Sequence, residues 1–521
     1  MPGRPTLTAN NSRPELAGFA GPDRPVWRSG LLMLVLVLLF SRVVTAAEIV
    51  DRPNIILIFA DDLGWKDVGY QGTDFYETPR IDRLASEGMV FTNGYAAAGN
   101  CAPSRACLLS GSYTPRHHVY AVGSTDRGRK ELQRLVPIPN RGGLPQNLVT
   151  VADALRAAGY ATGHFGKWHL GGREGARPTE QGFDESFDSF GEGEVAEGSE
   201  GNKAGPPADP KGVYTLTNRA IEFIERHRDR PFFCYLAHHA IHTPLQGRPE
   251  TLARFTAKPA GEQHSKPLYA ACTYDLDDSV GRLLDRLDEL DLGQNTFIVF
   301  TSDNGGTQAS SQEPLRGNKG CYYEGGIREP FIVRWPGQVV AGSRCDTPVI
   351  NVDLFPTFLD LAGVSDERRQ EIMRDQPLDG ESLRPLFMQS GELRRPAIFW
   401  HFPGYLDAPV IRGRDPDFRT RPVSVIRQGD WKLHLYLEEW QLDGGREQLP
   451  TNNAVELYNM RDDIGEHHNL AAERPERRDE LLNNLLEWHA AVDAQLPSNT
   501  NPRYAPDRRP KGKGKRKQGD N

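Results

Sequence analysis

Two pairs of oxygen-bearing side chains directly follow apolar runs in this sequence. Asp61 and Asp62 follow the run NIILIFA, and Asp303 and Asn304 follow the run NTFIVFT apart from one intervening serine. Continuous apolar runs of this length predict strands that are buried on both faces, as in a parallel sheet. Ligands of such sheets bind beyond the carboxyl ends of the strands, so we expect the four side chains to meet there.

Three carboxylates and one amide gathered at one sheet edge would repel one another without a cation. Hard oxygen ligands of this kind suit Ca²⁺ or Mg²⁺. Each pair taken singly could instead cap a following turn or helix. Because both pairs fall at strand ends, the sequence favours a metal site.

A cysteine, an arginine and two lysines are further candidates for chemistry. Cys101 and Arg105 lie in the segment CAPSRACLLSG, Lys167 lies in GKWHLG, and Lys319 lies in RGNKG. Taken alone, the cysteine reads as a packed or disulfide-bonded residue and the three cations as solvated surface charges. Glycine-rich segments allow the backbone to approach a ligand closely, which makes both lysines candidates for binding an anion.

Two histidines complete the candidate set. His169 is two residues from Lys167, so the two side chains point the same way in an extended segment. His242 lies in the segment HTP after the apolar run FFCYLA, close to His238 and His239. A single histidine is more often structural than catalytic, so the case for each depends on the other catalytic candidates around it.

These motifs resemble, in order, those of the type I sulfatases, the formylglycine-dependent family of the alkaline-phosphatase-like superfamily. CAPSRACLLSG resembles the family signature CxPSRxxLLSG. The segments ADDLGW, GKWHLG, HTP, SDNGG and RGNKGCYYEGGIREP resemble the elements around it, and WKLHLY and ELYNMRDDIGEHHNL resemble the C-terminal subdomain. The resemblance covers nearly the whole mature chain, and six motifs in the right order are far more specific than any one of them.

The resemblance implies that a formylglycine-generating enzyme oxidises Cys101 to Cα-formylglycine. One hydroxyl of the hydrated aldehyde would attack sulfur and the other would expel sulfate, whereas a serine has no second hydroxyl. The resemblance also implies one bound Ca²⁺ that includes an oxygen of residue 101 among its ligands. The implied ligand set is Asp61, Asp62, Cys101, Asp303 and Asn304.

The resemblance also implies roles for the basic residues. Arg105, Lys167 and Lys319 would hold the sulfate oxygens and stabilise the transition state. His169 would contact the nucleophile and accept its proton as sulfate leaves, while His242 would protonate the leaving alcohol. Some family members place a serine beside the nucleophile, and no counterpart is assigned here. The nearby candidates are Ser186, Ser189 and Glu192.

The predicted function is therefore hydrolysis of a sulfated small molecule or glycan, with a carbohydrate sulfate favoured. One alternative is a phosphodiesterase or phosphonate monoester hydrolase of the same superfamily. Another is an exported protein that binds sulfated glycans without cleaving them, which would predict damage to the catalytic set. Cys101, Arg105, both lysines and both histidines are all present, which favours the enzyme.

The pattern of apolar runs and helical stretches predicts an α/β fold. A large mixed, mostly parallel sheet would carry helices on both faces, and a smaller antiparallel sheet with a helix would follow. Buried strands are predicted near 54–60, 161–165, 232–237, 295–301 and 331–335, helices near 79–87, 150–158 and 268–290, and the C-terminal elements near 397–401, 431–437 and 479–492.

Charge and terminal patterns place the protein outside the cytoplasm. A basic flank, a short apolar stretch and small residues make residues 1–47 an export signal with a polar extension, too short to anchor in a membrane. We therefore expect a periplasmic or extracellular protein. The net charge of -8 argues against nucleic-acid binding. The predicted segments are a catalytic domain at 48–390, a C-terminal subdomain at 391–500 and a disordered basic tail at 501–521.

Overall fold

The structure, a computed structural model, describes residues 52–171, 177–189 and 206–506. Outside these residues lie the predicted export signal, Glu192 and most of the predicted basic tail. Within the described residues, no helix has the length and apolar character needed to cross a membrane. All six cysteines are unpaired, and five of them are buried.

Sixteen strands are present in the described residues. In chain order they are β1 (Asn54–Ala60), β2 (Met89–Phe91), β3 (Gly94–Tyr95), β4 (Ala161–Gly166), β5 (Glu185–Phe187), β6 (Phe232–Ala237), β7 (Thr296–Ser302), β8 (Ile332–Arg334), β9 (Ser343–Cys345), β10 (Val349–Ile350), β11 (Ile398–Phe402), β12 (Leu406–Asp407), β13 (Phe418–Thr420), β14 (Val423–Gln428), β15 (Trp431–Tyr436) and β16 (Val455–Asn459).

Helices connect and cover these strands. In chain order they are α1 (Pro79–Glu87), α2 (Cys101–Ser110), α3 (Thr114–His117), α4 (Val151–Ala157), α5 (Val213–His227), α6 (Pro249–Ala257), α7 (Pro267–Glu289), α8 (Glu324–Ile327), α9 (Leu354–Leu361), α10 (Asp366–Met373), α11 (Arg384–Phe387), α12 (Leu437–Leu442), α13 (Leu449–Asn452) and α14 (Pro475–Ala491). The long helices predicted near 268–290 and 479–492 correspond to α7 and α14.

The main sheet has eight strands in the order β5-β4-β6-β1-β7-β8-β2-β9. The central strands β4, β6, β1 and β7 are parallel, whereas β8 runs antiparallel to both β7 and β2. A second sheet, β11-β14-β15-β16, is antiparallel throughout. The predicted mixed, mostly parallel sheet followed by a smaller antiparallel sheet is confirmed.

Strand β1 shows how the main sheet separates two cores. Ile55, Leu57 and Phe59 pack into one core with α2, α4 and α9, while Ile56 and Ile58 pack into the other with α5 and α7. Successive side chains of a strand point to opposite faces, so an unbroken apolar run is what a doubly covered strand requires. A third core joins the antiparallel sheet to α14.

The helix ends are stabilised in two different ways. At α4, Thr150 forms a capping box with Asp153. At α1, Thr78 occupies the N-cap position, but its side chain accepts no hydrogen bond from a backbone N–H of the helix. Instead the carboxylate of Asp277 in α7 accepts hydrogen bonds from the backbone N–H groups of Arg80 and Ile81 at 2.8–3.1 Å. A residue distant in sequence therefore caps α1, which local sequence could not indicate.

A buried charged network connects the antiparallel sheet to α8. Lys432 of β15 lies 2.8 Å from Glu324 and 3.0 Å from Glu466, and all three side chains are fully buried. Glu324 also accepts hydrogen bonds from Tyr95 and Arg328. Because Glu324 begins α8, directly after the loop that carries Lys319, this network fixes that loop against the C-terminal sheet.

We expect Lys432→Met to lower the free energy of unfolding by about 3–5 kcal/mol, because the buried Glu466 loses its lysine while Glu324 keeps Arg328. Burial already raises the pKa of Glu466, and Lys432 opposes that rise. Without Lys432 the pKa rises further, so the folded variant holds a proton that the unfolded chain releases. Its stability deficit should therefore grow as the pH rises above the usual pKa of a glutamate.

Urea unfolding of both proteins at several pH values checks this prediction. Arg461→Met is the matched control, because Arg461 pairs with Asp430 on the surface with 75% of its side chain exposed. Removing such a pair should cost about 1 kcal/mol or less. Equal losses for the two variants would show that the buried network does not stabilise the fold.

Candidate active site

The ends of β1 and β7 bring the four predicted metal ligands together. The strands pair in parallel register up to Ala60 and Ser302. The backbone N–H of Asp62 donates to Asp303 at 3.2 Å, and the amide of Asn304 donates to Asp62 at 2.8 Å. Asp62 turns the chain with a φ of 67°. The predicted convergence at this sheet edge is therefore observed.

Cys101 lies against this group of carboxylates. It is the first residue of α2 and is 1% exposed. Its Sγ lies 3.5 Å from Oδ1 of Asp61 and 3.8 Å from Oδ1 of Asp62. One side-chain donor atom from each of Asp61, Asp62, Cys101 and Asp303 lies within 4.8 Å of the others. Burial, followed by the charge of Asp303, raises the pKa of the thiol well above its usual value.

The two predicted lysines pair with two of these carboxylates. Lys167 Nζ lies 2.7 Å from Oδ2 of Asp61, and Lys319 Nζ lies 2.7 Å from Oδ1 of Asp62. Burial lowers the pKa of each ammonium, but the adjacent carboxylate and the other acidic groups around it together outweigh burial, so the net pKa is raised. Both side chains are slightly exposed, at 11% and 13%. They are therefore charged and can reach a ligand at the site opening.

Arg105 lies behind the carboxylates and is fully buried. Its guanidinium donates to Oδ2 of Asp303 at 2.8 and 3.0 Å and to the backbone oxygen of Lys167 at 2.9 Å. It also donates to the hydroxyl of Tyr235 at 3.4 Å. The family resemblance implies that Arg105 holds the sulfate oxygens, whereas these contacts place its charge on Asp303 and on the segment of Lys167.

The predicted histidine His242 lies beside the cysteine, whereas His169 lies among the charges of Lys167 and Arg105. A ring nitrogen of His242 lies within 4.8 Å of donor atoms of Asp61 and Cys101, and its Nε2 lies 3.9 Å from Oδ2 of Asp62. Its Nδ1 lies 2.6 Å from the backbone oxygen of Thr243. His169 adopts a φ of 62°, and its Nδ1 is buried without a hydrogen-bond partner among the described residues. Burial and then the charges of Lys167 and Arg105 lower the pKa of His169 well below 6.5.

The charges of the site explain the pKa values of its carboxyl groups. Burial raises the pKa of Asp61, but the cations around it, Lys167 first, lower the net pKa well below the usual value. Burial and repulsion from Asp61 raise the pKa of Asp303 to about 6, against the pull of Arg105. The site therefore holds closely spaced negative charges that an additional cation would relieve.

The donor set fits a hard divalent cation. Three carboxylates converge, and Oδ1 of Asn304 is buried without a hydrogen-bond partner among the described residues. A buried amide oxygen without a partner is costly, so its presence beside three carboxylates points to a ligand role. Oxygen donors suit Ca²⁺ better than zinc.

Some residues of this region were not found from the sequence. Tyr235 supports Arg105 by accepting a hydrogen bond from its guanidinium. The sequence signal that could have pointed to Tyr235 is its hydroxyl group inside the apolar run FFCYLA. His239 bonds to Asp188 at 2.9 Å. Of the serines considered for contact with the nucleophile, Ser186 bonds to His164 at 3.0 Å and Ser189 to the backbone oxygen of Lys211 at 3.4 Å.

Comparisons with known proteins agree with this geometry. The family model described as Sulfatase matches residues 53–364, and that described as N-sulphoglucosamine sulphohydrolase, C-terminal, matches residues 317–489. A sulfatase of Formosa agariphila is 31% identical over 87% of this chain and 90% of its own. The human N-acetylgalactosamine-6-sulfatase is 35% identical over 67% of this chain and 68% of its own.

A solved structure of Ps i-CgsB in complex with k-i-k-neocarrahexaose has a TM-score of 0.64 and 29% identity, covering 86% of this chain and 94% of its own. The chain belongs to the sulfatase family of the alkaline-phosphatase-like superfamily. The enzyme class predicted from the sequence, a sulfatase, is confirmed.

Proposed function

We propose that this protein is an exported enzyme that hydrolyses sulfate esters of carbohydrates, using one Ca²⁺ and a formylglycine made from Cys101. The observation that carries the proposal is the position of Cys101, whose Sγ lies against the Asp61 and Asp62 carboxylates that Lys167 and Lys319 hold. The names of the relatives, an N-acetylgalactosamine-6-sulfatase among them, and the bound neocarrahexaose of Ps i-CgsB support a carbohydrate substrate.

The environment of Cys101 favours its modification over direct use of the thiol. A thiol whose pKa is raised well above 9.0 stays protonated at neutral pH and is a poor nucleophile. The hydrated form of formylglycine would supply two hydroxyl oxygens at this position. The same burial that disables the thiol would exclude bulk water from the reacting atoms.

Four side chains would hold the calcium ion together with an oxygen of residue 101. They are Asp61, Asp62, Asp303 and Asn304. A bound Ca²⁺ would supply positive charge that offsets the carboxylates and favours the ionised form of a nearby hydroxyl. Arg105 would keep Asp303 oriented, because it donates two hydrogen bonds to one carboxylate oxygen.

The lysines would bind the charged sulfate group, and the histidines would transfer protons during the reaction. The ammonium groups of Lys167 and Lys319 reach the opening and would attract the sulfate oxygens. His242, with its Nδ1 against a backbone oxygen, would present Nε2 to the leaving alcohol and donate a proton there. His169, kept neutral by its surroundings, would accept a proton at a ring nitrogen during sulfate release.

Turnover of an aryl sulfate and of an aryl phosphate diester by the matured protein tests the substrate class. We expect the sulfate to have the higher kcat/KM, because the chain belongs to the sulfatase family. A preference for the phosphate diester would instead assign the protein to the phosphodiesterase branch of the superfamily.

Asn304→Ala should weaken calcium binding by at least the factor of about 10–100 that the loss of a group supporting a metal ligand costs. It removes an oxygen donor but no charge. Asp303→Ala is a less clear test, because it also leaves the buried Arg105 without its partner. Calcium titration and elemental analysis of the purified proteins measure the effect.

Asn147→Ala is the matched control, because Asn147 is exposed on the surface. It should bind calcium as the wild type does. Zinc in the purified wild type, or turnover that survives chelation unchanged, would contradict the calcium assignment.

A further inference from the structure

An arginine of the C-terminal region lies beside the proposed site and has no acidic partner within the part of the chain that the structure describes. Arg419 is the middle residue of β13, between the buried Phe418 and Thr420. Its Nη1 donates to the backbone oxygen of Lys319 at 3.3 Å, and its Nε is buried without a hydrogen-bond partner among the described residues. The Arg419 side chain is half-buried, and a guanidinium in such a position without a carboxylate partner has unused capacity to bind an anion.

The packing around Arg419 fixes its position. A Cβ atom on Gly320 would come within 2.0 Å of the Arg419 Cδ, so only glycine allows the arginine to lie across this loop. Lys319, the preceding residue, contacts Asp62 through its ammonium group. The guanidinium of Arg419 contacts the backbone end of Lys319, and the ammonium end of the same residue contacts Asp62. About the length of one lysine side chain therefore separates Arg419 from the carboxylates of the site.

A second arginine adds positive charge but is already neutralised. Arg127 donates to Asp407 at 2.8 Å, and Asp407 belongs to β12, the strand that pairs with β13. Burial first and the charge of Arg127 second lower the pKa of Arg419. Arg419 therefore brings to Lys319 a positive charge that forms no ion pair with a carboxylate among the described residues.

We propose that Arg419 binds a second anionic group of the substrate, a sulfate or a carboxylate, while the sulfate to be cleaved lies between Lys167 and Lys319. This inference rests on the proposed function and deepens it. The preferred substrates would be sulfated sugars that carry at least one further negative charge on the same or the adjoining ring. Arginine suits this role because its planar donors match both kinds of oxyanion.

Selectivity between dianionic and monoanionic substrates tests the proposal. The measured quantity is the ratio of kcat/KM for disulfated or uronate-linked sulfated sugars to kcat/KM for the matching monosulfated sugars. Arg419→Met, which keeps the apolar packing on Gly320, should lower this ratio by about 10–100-fold, the range of one charge-assisted hydrogen bond. Arg419→Lys should restore part of it, and Arg461→Met, on the exposed surface, should leave it unchanged. The disulfated and uronate-linked sugars together show which anion is preferred.

Binding provides a second readout that needs no turnover. In a Cys101→Ala background, calorimetric titration with the disulfated sugar should show an affinity loss of similar size for Arg419→Met, and thermal unfolding should show that this variant is folded. Equal losses on dianionic and monoanionic sugars would overturn the proposal. If the matured wild type hydrolyses no sulfate ester, the proposed function fails, and the titration alone decides whether Arg419 binds the second anion.

Discussion

Cys101→Ser is expected to lower steady-state turnover of sulfate esters by about 10⁵-fold or more, the scale of losing a nucleophile that acts as part of a catalytic unit. A serine at position 101 has one hydroxyl beside Asp61 and Asp62. It could form a bond from its oxygen to sulfur as the ester oxygen leaves with a proton. It has no second hydroxyl with which to expel the sulfate, so each molecule should react at most once.

Intact-protein mass after mixing with an aryl sulfate measures this outcome. The Cys101→Ser protein should gain one sulfuryl group, whereas Cys101→Ala should gain none and serves as the control. Repeated turnover by Cys101→Ser at a rate near that of the wild type would show that a single hydroxyl suffices and would contradict the proposed use of formylglycine.

His242→Ala is expected to slow sugar sulfates about 10²–10⁴-fold, the usual contribution of general acid catalysis. A sugar leaves as a basic alkoxide that needs a proton, whereas an activated phenol leaves readily without one. The loss on aryl sulfates with good leaving groups should therefore be much smaller. The measurement is kcat/KM across a series of aryl and sugar sulfates, plotted against the pKa of the leaving group.

His169→Ala is the matched comparison, because it removes the other imidazole proposed to act at this site. It should slow sulfate release, a step that all substrates share, so the plot should become flatter and a sulfated protein should accumulate. Equal losses on every substrate for His242→Ala would leave that residue a role in binding sulfate only.

Much of the fold and the site could be predicted because the signals are local. The runs NIILIFA and NTFIVFT each contain consecutive apolar residues that alternate between the two faces, as a strand covered on both faces requires. They correspond to β1 and β7. Parallel pairing then brings whatever follows the two strands to one edge. That topological fact alone predicted the meeting of Asp61, Asp62, Asp303 and Asn304.

Features that depend on distant parts of the chain could not be predicted. Arg105 reads as a surface charge until β6 supplies Tyr235 and β7 leads to Asp303, which together bury it. Asp277 caps α1 from almost two hundred residues away. Arg419 lies in a short strand without a motif, and its position beside Lys319 follows only from the packing of the C-terminal region against the loop at Gly320.

The most direct test of the account is the mass of the peptide that contains residue 101, from protein produced together with a formylglycine-generating enzyme. The burial of Cys101 among carboxylates makes its thiol a poor nucleophile, so activity should require its conversion. We predict a peptide lighter by the difference between a CH₂SH group and a CHO group, in a fraction of molecules that tracks sulfatase activity between preparations. Full sulfatase activity in protein whose Cys101 is entirely an unmodified thiol would contradict the account.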